Sequence, residues 1–444
     1  MIPYFHSVIL DEEKCKGCTN CIKRCPTEAI RVRNSKAKII NERCIDCGEC
    51  IRVCPYHAKK ALTDPFELLS SYKYKVALPA PSLYGQFKNA VSRDHLLTAL
   101  KMIGFDQIFE VAKAAEIVSD ATRKLLSGQI QHKPLISSAC PAVVKLIQVR
   151  FPNLIANIVR LQSPMEIAAR IIKDDMSKNK NIPVDDIGVF FITPCAAKVT
   201  SVKAPYDSEK SAVDGVISIK DVYIKIFDYL GKIDQPESLV QAGFEGIRWA
   251  NSGGESLALE TDRFLAVDGI HNVITIFEEI ENERLGDIDF IEALACTGGC
   301  LGGPLTVENL YVAKTTMKKI IDEAKEKSDH SIGTQDYDRD IDWTGSVEYK
   351  PVMKLDLDFI QAMKKLEALE VINNSLPGLD CGACGAPSCR ALAEDIVRGH
   401  ANEADCVIKL KEKVRAFAEQ MLELDARIQP VPDIGKKDGD DVEK

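Results

Sequence analysis

The stretch Glu292-Ala-Leu-Ala-Cys296-Thr-Gly-Gly-Cys300-Leu-Gly-Gly303 decides how this chain is read. An apolar run, Phe290 to Ala295, delivers two thiols into a glycine-rich turn. Such glycines let backbone approach something bulky and supply conformations that other residues avoid. A cysteine pair beside permissive backbone suggests a soft metal or a cluster. CxxxC alone is a weak signal. It gains weight from two thiols far upstream, Cys140 in Ser137-Ser-Ala-Cys-Pro141 and Cys195 in Thr193-Pro-Cys-Ala-Ala-Lys198.

Working outward, the apolar run is one of several. Lys75 to Leu78, Leu135-Ile136, Ile187 to Ile192 and Ile291 to Ala295 read as strands. They alternate with helical periods at Ala142 to Val149, Met165 to Met176, Lys220 to Leu230 and Val312 to Lys325. That rhythm predicts an α/β domain with parallel sheet. The cysteine loops follow strand ends, where sites in such sheets lie. Gly253-Gly254 is too short for a phosphate loop and reads as a tight backbone approach.

The chain has 444 residues, 45% hydrophobic and 28% charged, which suggests roughly three domains. A net charge of -9 argues against nucleic acid as a partner. No apolar run reaches the roughly 20 residues that span a bilayer. Met1-Ile-Pro-Tyr-Phe-His-Ser7 has no charged stretch or twin arginine, so no secretion signal is expected. The 16 cysteines fall into four sets of four. Their spacings read as cluster ligation in a reducing cytoplasm rather than as disulfides. The seven histidines, His6, His57, His95, His132, His271, His330 and His400, form no ligand spacing.

Two of the sets occupy residues 1–66. Cys15-x2-Cys18-x2-Cys21-x3-Cys25-Pro26 recurs as Cys44-x2-Cys47-x2-Cys50-x3-Cys54-Pro55. This is a duplicated two-cluster ferredoxin pattern whose fourth cysteine crosses to the other cluster. One 4Fe-4S cubane is therefore expected on Cys15, Cys18, Cys21 and Cys54, the other on Cys44, Cys47, Cys50 and Cys25. Ala29 to Arg33 and Lys38 to Ile40 read as short strands of an α+β module. A zinc module is the alternative, but structural zinc usually uses paired Cx2–4C units.

Residues 67–354 form the large domain. Its end, Ser328 to Glu348, is polar and aperiodic and reads as a linker or surface loop, with part of it docking through Trp343. Residues 355–408 form a third unit. A helix from Phe359 to Leu369 leads into Cys381-x2-Cys384-x4-Cys389-x16-Cys406. This closely resembles the small, mostly α four-cysteine cluster domain of ferredoxin-linked redox proteins. Zinc would also be satisfied by four thiolates. In residues 409–444, and slightly before, Val407, Leu410, Val414, Phe417, Met421, Leu424 and Ile428 repeat at steps of three and four. That is a heptad seam, ended by Pro430 and Pro432. A parallel coiled coil would make a homodimer through residues 407–428; the other reading is a helix packed on its own cluster domain. The charged tail from Gly435 reads as disordered.

The loops at Cys140, Cys195 and Cys296–Cys300, in that order, resemble the three signature loops of the iron-only (FeFe) hydrogenases. Phe151-Pro-Asn-Leu-Ile155, Ser163-Pro164, Asp214-Gly-Val-Ile217 and Asn251-Ser-Gly-Gly254 fall where that family has similar segments. The resemblance covers most of residues 67–320. It implies a hydrogenase-type α/β fold and an H-cluster: a cubane on Cys140, Cys195, Cys296 and Cys300, bridged by Cys300 to a diiron unit with CO, cyanide and a dithiolate. Lys198 matches the lysine that contacts a cyanide, and Glu292 matches a family glutamate. The diiron unit would react reversibly with H2. Three accessory cubanes would carry electrons to ferredoxin or another redox protein, and separate maturation machinery would insert the diiron unit.

Departures cluster at the same site. Efficient family members place a proton-relaying cysteine where this chain has Ala139, and a methyl group carries no proton. Ser201 replaces an expected glutamate, Thr193 and Leu294 replace methionines, and no relay carboxylate pair is evident around Ala121 to Leu125. A positioned proton donor contributes roughly 10²–10⁴ in rate. The pattern resembles the slow hydrogenases proposed as H2 sensors, working with a signalling partner. Two other readings stand: a ferredoxin-coupled hydrogenase with another proton route, and an iron–sulfur scaffold or assembly protein without the diiron unit.

Overall fold

The computed structural model describes residues 5–88, 92–327 and 341–427. The chain divides into two compact units, 1–354 and 355–444. The first begins with β1 (Val8–Leu10), α1 (Asn20–Lys23), β2 (Ile30–Arg33), β3 (Lys36–Ile39), α2 (Glu49–Arg52) and β4 (Lys59–Ala61). β2 and β3 form a hairpin turned by Asn34 and Ser35, both at positive φ, as a two-residue turn requires. β1 pairs antiparallel with β4, so the strand before the first cysteine run closes on the strand after the second. The apolar interior here is small: Val8, Ile22, Ala29, Ile30, Ala37 and Ala58 surround cysteines rather than large side chains. A core of that size needs metal to hold it.

The rest of the first unit holds β5 (Tyr74–Pro79), α3 (Arg93–Met102), β6 (Gln107–Ile108), α4 (Val111–Ser127), β7 (Leu135–Ile136), α5 (Pro141–Arg150), α6 (Pro164–Lys180), β8 (Ile187–Thr193) and α7 (Ala196–Lys203). It continues with β9 (Gly215–Ser218), α8 (Ile219–Leu230), α9 (Phe244–Arg248), β10 (Phe264–Asp268), α10 (Ile270–Glu281), β11 (Phe290–Leu294) and α11 (Leu310–Glu326). Among the described residues the parallel strands make two sheets, in the orders β6-β5-β8-β9 and β10-β11-β7. The sequence rhythm foretold parallel sheet but not this division. Every residue of β8 is buried, as expected of a parallel strand covered on both faces. Val189 and Phe191 face a core with Val76, Leu78 and α4 and α6 residues. Phe190 and Ile192 face the opposite core with α3, α8 and α11. A third core packs β11 and β7 against α5 and α10 and takes in Ile45 from the N-terminal module.

Part of the aperiodic stretch docks. The Trp343 indole N–H donates to the Leu161 carbonyl at 2.7 Å, and its ring meets Tyr206 edge-on at 5.4 Å. Residues 328–340 of that stretch lie outside the described residues.

The second unit carries α12 (Phe359–Ser375), α13 (Cys389–Val397) and α14 (Val407–Arg427). α12 runs past the predicted end at Leu369, capped by Asp358, whose carboxylate accepts from the Gln361 N–H. Its core is Leu369, Leu376, Ala386, Ala391, Leu392 and Ala393 beside Cys406. The α14 seam is not packed on this core: Val414, Phe417, Met421 and Leu424 are each more than half exposed. Ile428, Pro430, Pro432 and the tail lie outside the described residues. Among the described residues no helix is long and apolar enough to cross a membrane.

Candidate metal centre

Three strand ends converge on one cavity. β7 leads to Cys140, the residue immediately before α5; β8 leads through Thr193-Pro194 to Cys195, immediately before α7. β11 leads to Cys296 and a tight 3-10 turn, Gly299–Gly302, holding Cys300. Since β7 and β11 belong to one sheet and β8 to the other, the site lies at carboxyl ends of both. The turn can close only with glycine: a Cβ on Gly303 would lie 2.4 Å from the Pro194 carbonyl oxygen, and one on Gly299, at φ +77°, 2.6 Å from the Ser252 nitrogen.

The cavity measures about 100 Å³ and is lined by Cys140, Cys195, Cys296 and Cys300 together with Ala139, Lys198, Glu255, Glu292, Leu294 and apolar neighbours. Burial and the neighbouring thiols push Cys296 to about 11 and Cys300 to about 12, and Cys195 well above its ordinary range. Cys195, Cys296 and Cys300 favour the protonated form by themselves. A soft metal that binds thiolate displaces those protons, so the donor set fits an iron–sulfur cluster.

The other predicted residues fall on the cavity wall or just behind it. Lys198, on α7, pulls down on the Cys300 thiol and on Glu255. Ala139 presents a methyl group. Leu294 lines the wall, whereas the Thr193 hydroxyl turns back on its own loop and accepts from the Cys195 N–H at 3.1 Å. Ser201 is buried in α7. α4 covers Ala121 to Leu125 and touches the cavity through Val111 and Ala115 instead. Glu292 is 1% exposed and accepts from the Gly253 and Ser256 N–H groups, both at 2.9 Å.

Sequence reasoning missed Glu255. Its carboxylate accepts from the Ser137 hydroxyl at 2.7 Å, and Ser137 Oγ accepts from the Ala139 N–H at 3.2 Å. Burial first, then the Glu292 charge, pushes Glu255 up to about 8. The signal was its place directly after Gly254, whose own Cβ would lie 2.0 Å from the Arg248 carbonyl oxygen. Arg52 was missed too: from α2 its guanidinium donates to the Gly302 carbonyl at 2.9 Å and reaches the Cys296 thiol.

The remaining cysteines gather around three smaller cavities of about 20 Å³ each. One collects Cys15, Cys18, Cys21 and Cys54, and a second Cys25, Cys44, Cys47 and Cys50, each borrowing its last thiol from the other half. Backbone N–H groups of Ala37, Ala29 and Ala58 donate to the sulfurs of Cys15, Cys25 and Cys54 at 3.4, 3.2 and 3.3 Å. In the second unit Cys381, Cys384, Cys389 and Cys406 surround the last. Asp46, beside Cys44 and Cys47, is a buried junction. It accepts from the Ser7 N–H at 2.9 Å, from Lys145 on α5 at 2.8 Å and from Thr200 on α7 at 2.8 Å.

Comparison with known proteins agrees with this geometry. The 4Fe-4S dicluster domain matches residues 7–55, and a putative Fe-S cluster domain matches 376–408. Iron hydrogenase 1 of Clostridium pasteurianum is 24% identical over 71% of this chain and 67% of its own. The cytosolic Fe-S cluster assembly factor NAR1 of Coccidioides immitis is 32% identical, over 20% of this chain and 14% of its own. The chain spans 50 to 67% of the length of the hydrogenases it matches. A solved [FeFe]-hydrogenase, HydA1 from Chlamydomonas reinhardtii, superposes with a TM-score of 0.45 and 15% identity, covering 55% of this chain and 84% of that one. The iron only hydrogenase large subunit, C-terminal domain, matches residues 73–231 and 232–304, around the converging strand ends, and the chain belongs to the iron-only hydrogenase family.

Proposed function

We propose that this protein reacts reversibly with H2 at low turnover and serves as a hydrogen sensor or regulatory hydrogenase. The observation that carries the reading is the size of the central cavity, about 100 Å³ against about 20 Å³ around each other set of four cysteines. A cubane alone needs no such room, and the excess fits a diiron unit held through Cys300. That unit, when bound, would supply the H2 chemistry, while protein positions, insulates and wires it.

The residues on the page supply the rest. Lys198 lines the wall and its field acts on the Cys300 thiol. Ala139 leaves the wall without a proton carrier where a cysteine would relay one. Glu255, pushed up to about 8, holds a proton at neutral pH and reaches Ser137 at 2.7 Å. That supports slow rather than absent proton exchange. Three further 4Fe-4S clusters would carry electrons to ferredoxin or another redox protein in a reducing cytoplasm, with maturation machinery inserting the diiron unit and a signalling partner reading the outcome.

The likeness to the NAR1 assembly factor favours a second reading, a scaffold without the diiron unit. Infrared spectra of matured protein, under argon and then H2, separate the two. Sharp CO and cyanide bands that shift with gas are expected; their absence at a full iron count for four cubanes overturns the sensor reading and leaves the scaffold.

A further inference from the structure

Among the positions buried in both halves of the N-terminal duplication, one pairs an apolar residue with a charged one. Five residues after its fourth cysteine the first half has Ile30, and the second half has Lys59. Both are 3% exposed. The Lys59 ammonium has no hydrogen-bond partner among the described residues. An unpaired buried charge is strongly unfavourable, so something absent from the protein's own polar groups must compensate it. It lies at the cavity of Cys15, Cys18, Cys21 and Cys54. Its field also opposes the rise that burial imposes on two thiols of different sets, Cys21 and Cys50. Arg52, more exposed and ion-paired with Glu49, stands one step inward. It donates to Gly302 at 2.9 Å, contacts the Cys296 thiol, and acts on Cys47 of the second set.

We propose that Lys59 and Arg52 are two countercharges placed between successive cysteine sets, each shared by the two iron–sulfur clusters beside it. One-electron reduction adds one negative charge to a cluster, with no bond made or broken and no proton required. A fixed cation nearby therefore favours the reduced form, and net charge and hydrogen bonds to sulfur are established determinants of cluster potential. Lys59 would raise both N-terminal potentials. Arg52 would raise that of the cluster on Cys25, Cys44, Cys47 and Cys50 together with that of the central cubane. This rests on iron–sulfur clusters in the cysteine sets and not on H2 chemistry, so a protein without CO and cyanide bands leaves it standing.

The test is a dithionite titration of the holoprotein followed by electron paramagnetic resonance, with Lys59→Met, Lys59→Arg and Arg52→Gln. Lys59→Met should weaken reduction of both N-terminal clusters tenfold or more, about 59 mV for one electron, and spare the central cubane. Arg52→Gln should shift the middle cluster and the central cubane and spare the cluster on Cys15, Cys18, Cys21 and Cys54. Only the middle cluster should respond to both. Lys59→Arg should keep the parent potentials. Equal shifts in every cluster, no shifts, or a Lys59→Arg effect as large as that of Lys59→Met would overturn the proposal. So would loss of iron from Lys59→Met, because Ile30 shows that an apolar side chain packs at the equivalent place.

Discussion

The central cavity and the cavity of the second unit use the same four donors and differ in almost everything else. Around Cys140, Cys195, Cys296 and Cys300 the walls are buried, carry a carboxyl pair and a lysine, and enclose about 100 Å³. Around Cys381, Cys384, Cys389 and Cys406 there is about 20 Å³, and Cys381 is exposed. Thiol ligands alone thus specify a cluster; its surroundings specify what else happens there. On the proposed reading, that difference would put H2 chemistry in the first unit and electron storage or relay in the second.

The hardest attempt to break that contrast removes one ligand from each. Cys300→Ala should abolish every CO and cyanide band. Cys406→Ala should leave those bands in place and lower the iron count by about four atoms, one cubane. Bands lost in both variants would mean that the two sites are not independent. Next in size, Ala139→Cys should raise H2 turnover by roughly 10²-fold or more if the missing proton carrier limits the rate. An unchanged rate would point to Glu255 and Ser137 as a sufficient route.

Two smaller effects sharpen the comparison. Gly303→Ala drives a methyl against the Pro194 carbonyl and should destabilise the first unit by roughly 1–3 kcal/mol in thermal unfolding. Gly378→Ala, with nothing within 4 Å but φ at +66°, should show only the backbone strain, about 1 kcal/mol. Glu255 also offers a pH signature. Its folded pKa is raised, to about 8, above the ordinary 4.5. Its contribution to stability is therefore full below about pH 4.5 and lost as the pH rises through about 8. In infrared spectra a protonated carboxyl band should fade over the upper part of that window and be missing from Glu255→Gln.

Twelve of the cysteines were legible because their spacing is local: CxxCxxCxxxCP and Cx2Cx4Cx16C carry their chemistry within one stretch, whereas Cys140, Cys195, Cys296 and Cys300 were joined only by the family resemblance. So was β8, whose continuous apolar run is what a doubly covered strand requires. The division into two sheets was not, because β6 and β7 are two residues long and show no period. Glu255 and Arg52 escaped for another reason. Arg52 meets Gly302 across 250 residues, and nothing in either segment announces the other. Lys59 stood in plain view beside the second cysteine run, but its burial follows only from the pairing of β1 with β4.

The Asp46 junction has a consequence for anyone who would exchange the N-terminal module for another. That carboxylate is held by Lys145 and Thr200, on the two helices that begin at Cys140 and Cys195. Excising residues 1–66 would remove the carboxylate to which Lys145 and Thr200 both donate and loosen both helix starts at once. The module is therefore not an interchangeable plug but a keystone: a donor module from a relative should assemble best if it brings an acidic residue to the same spot.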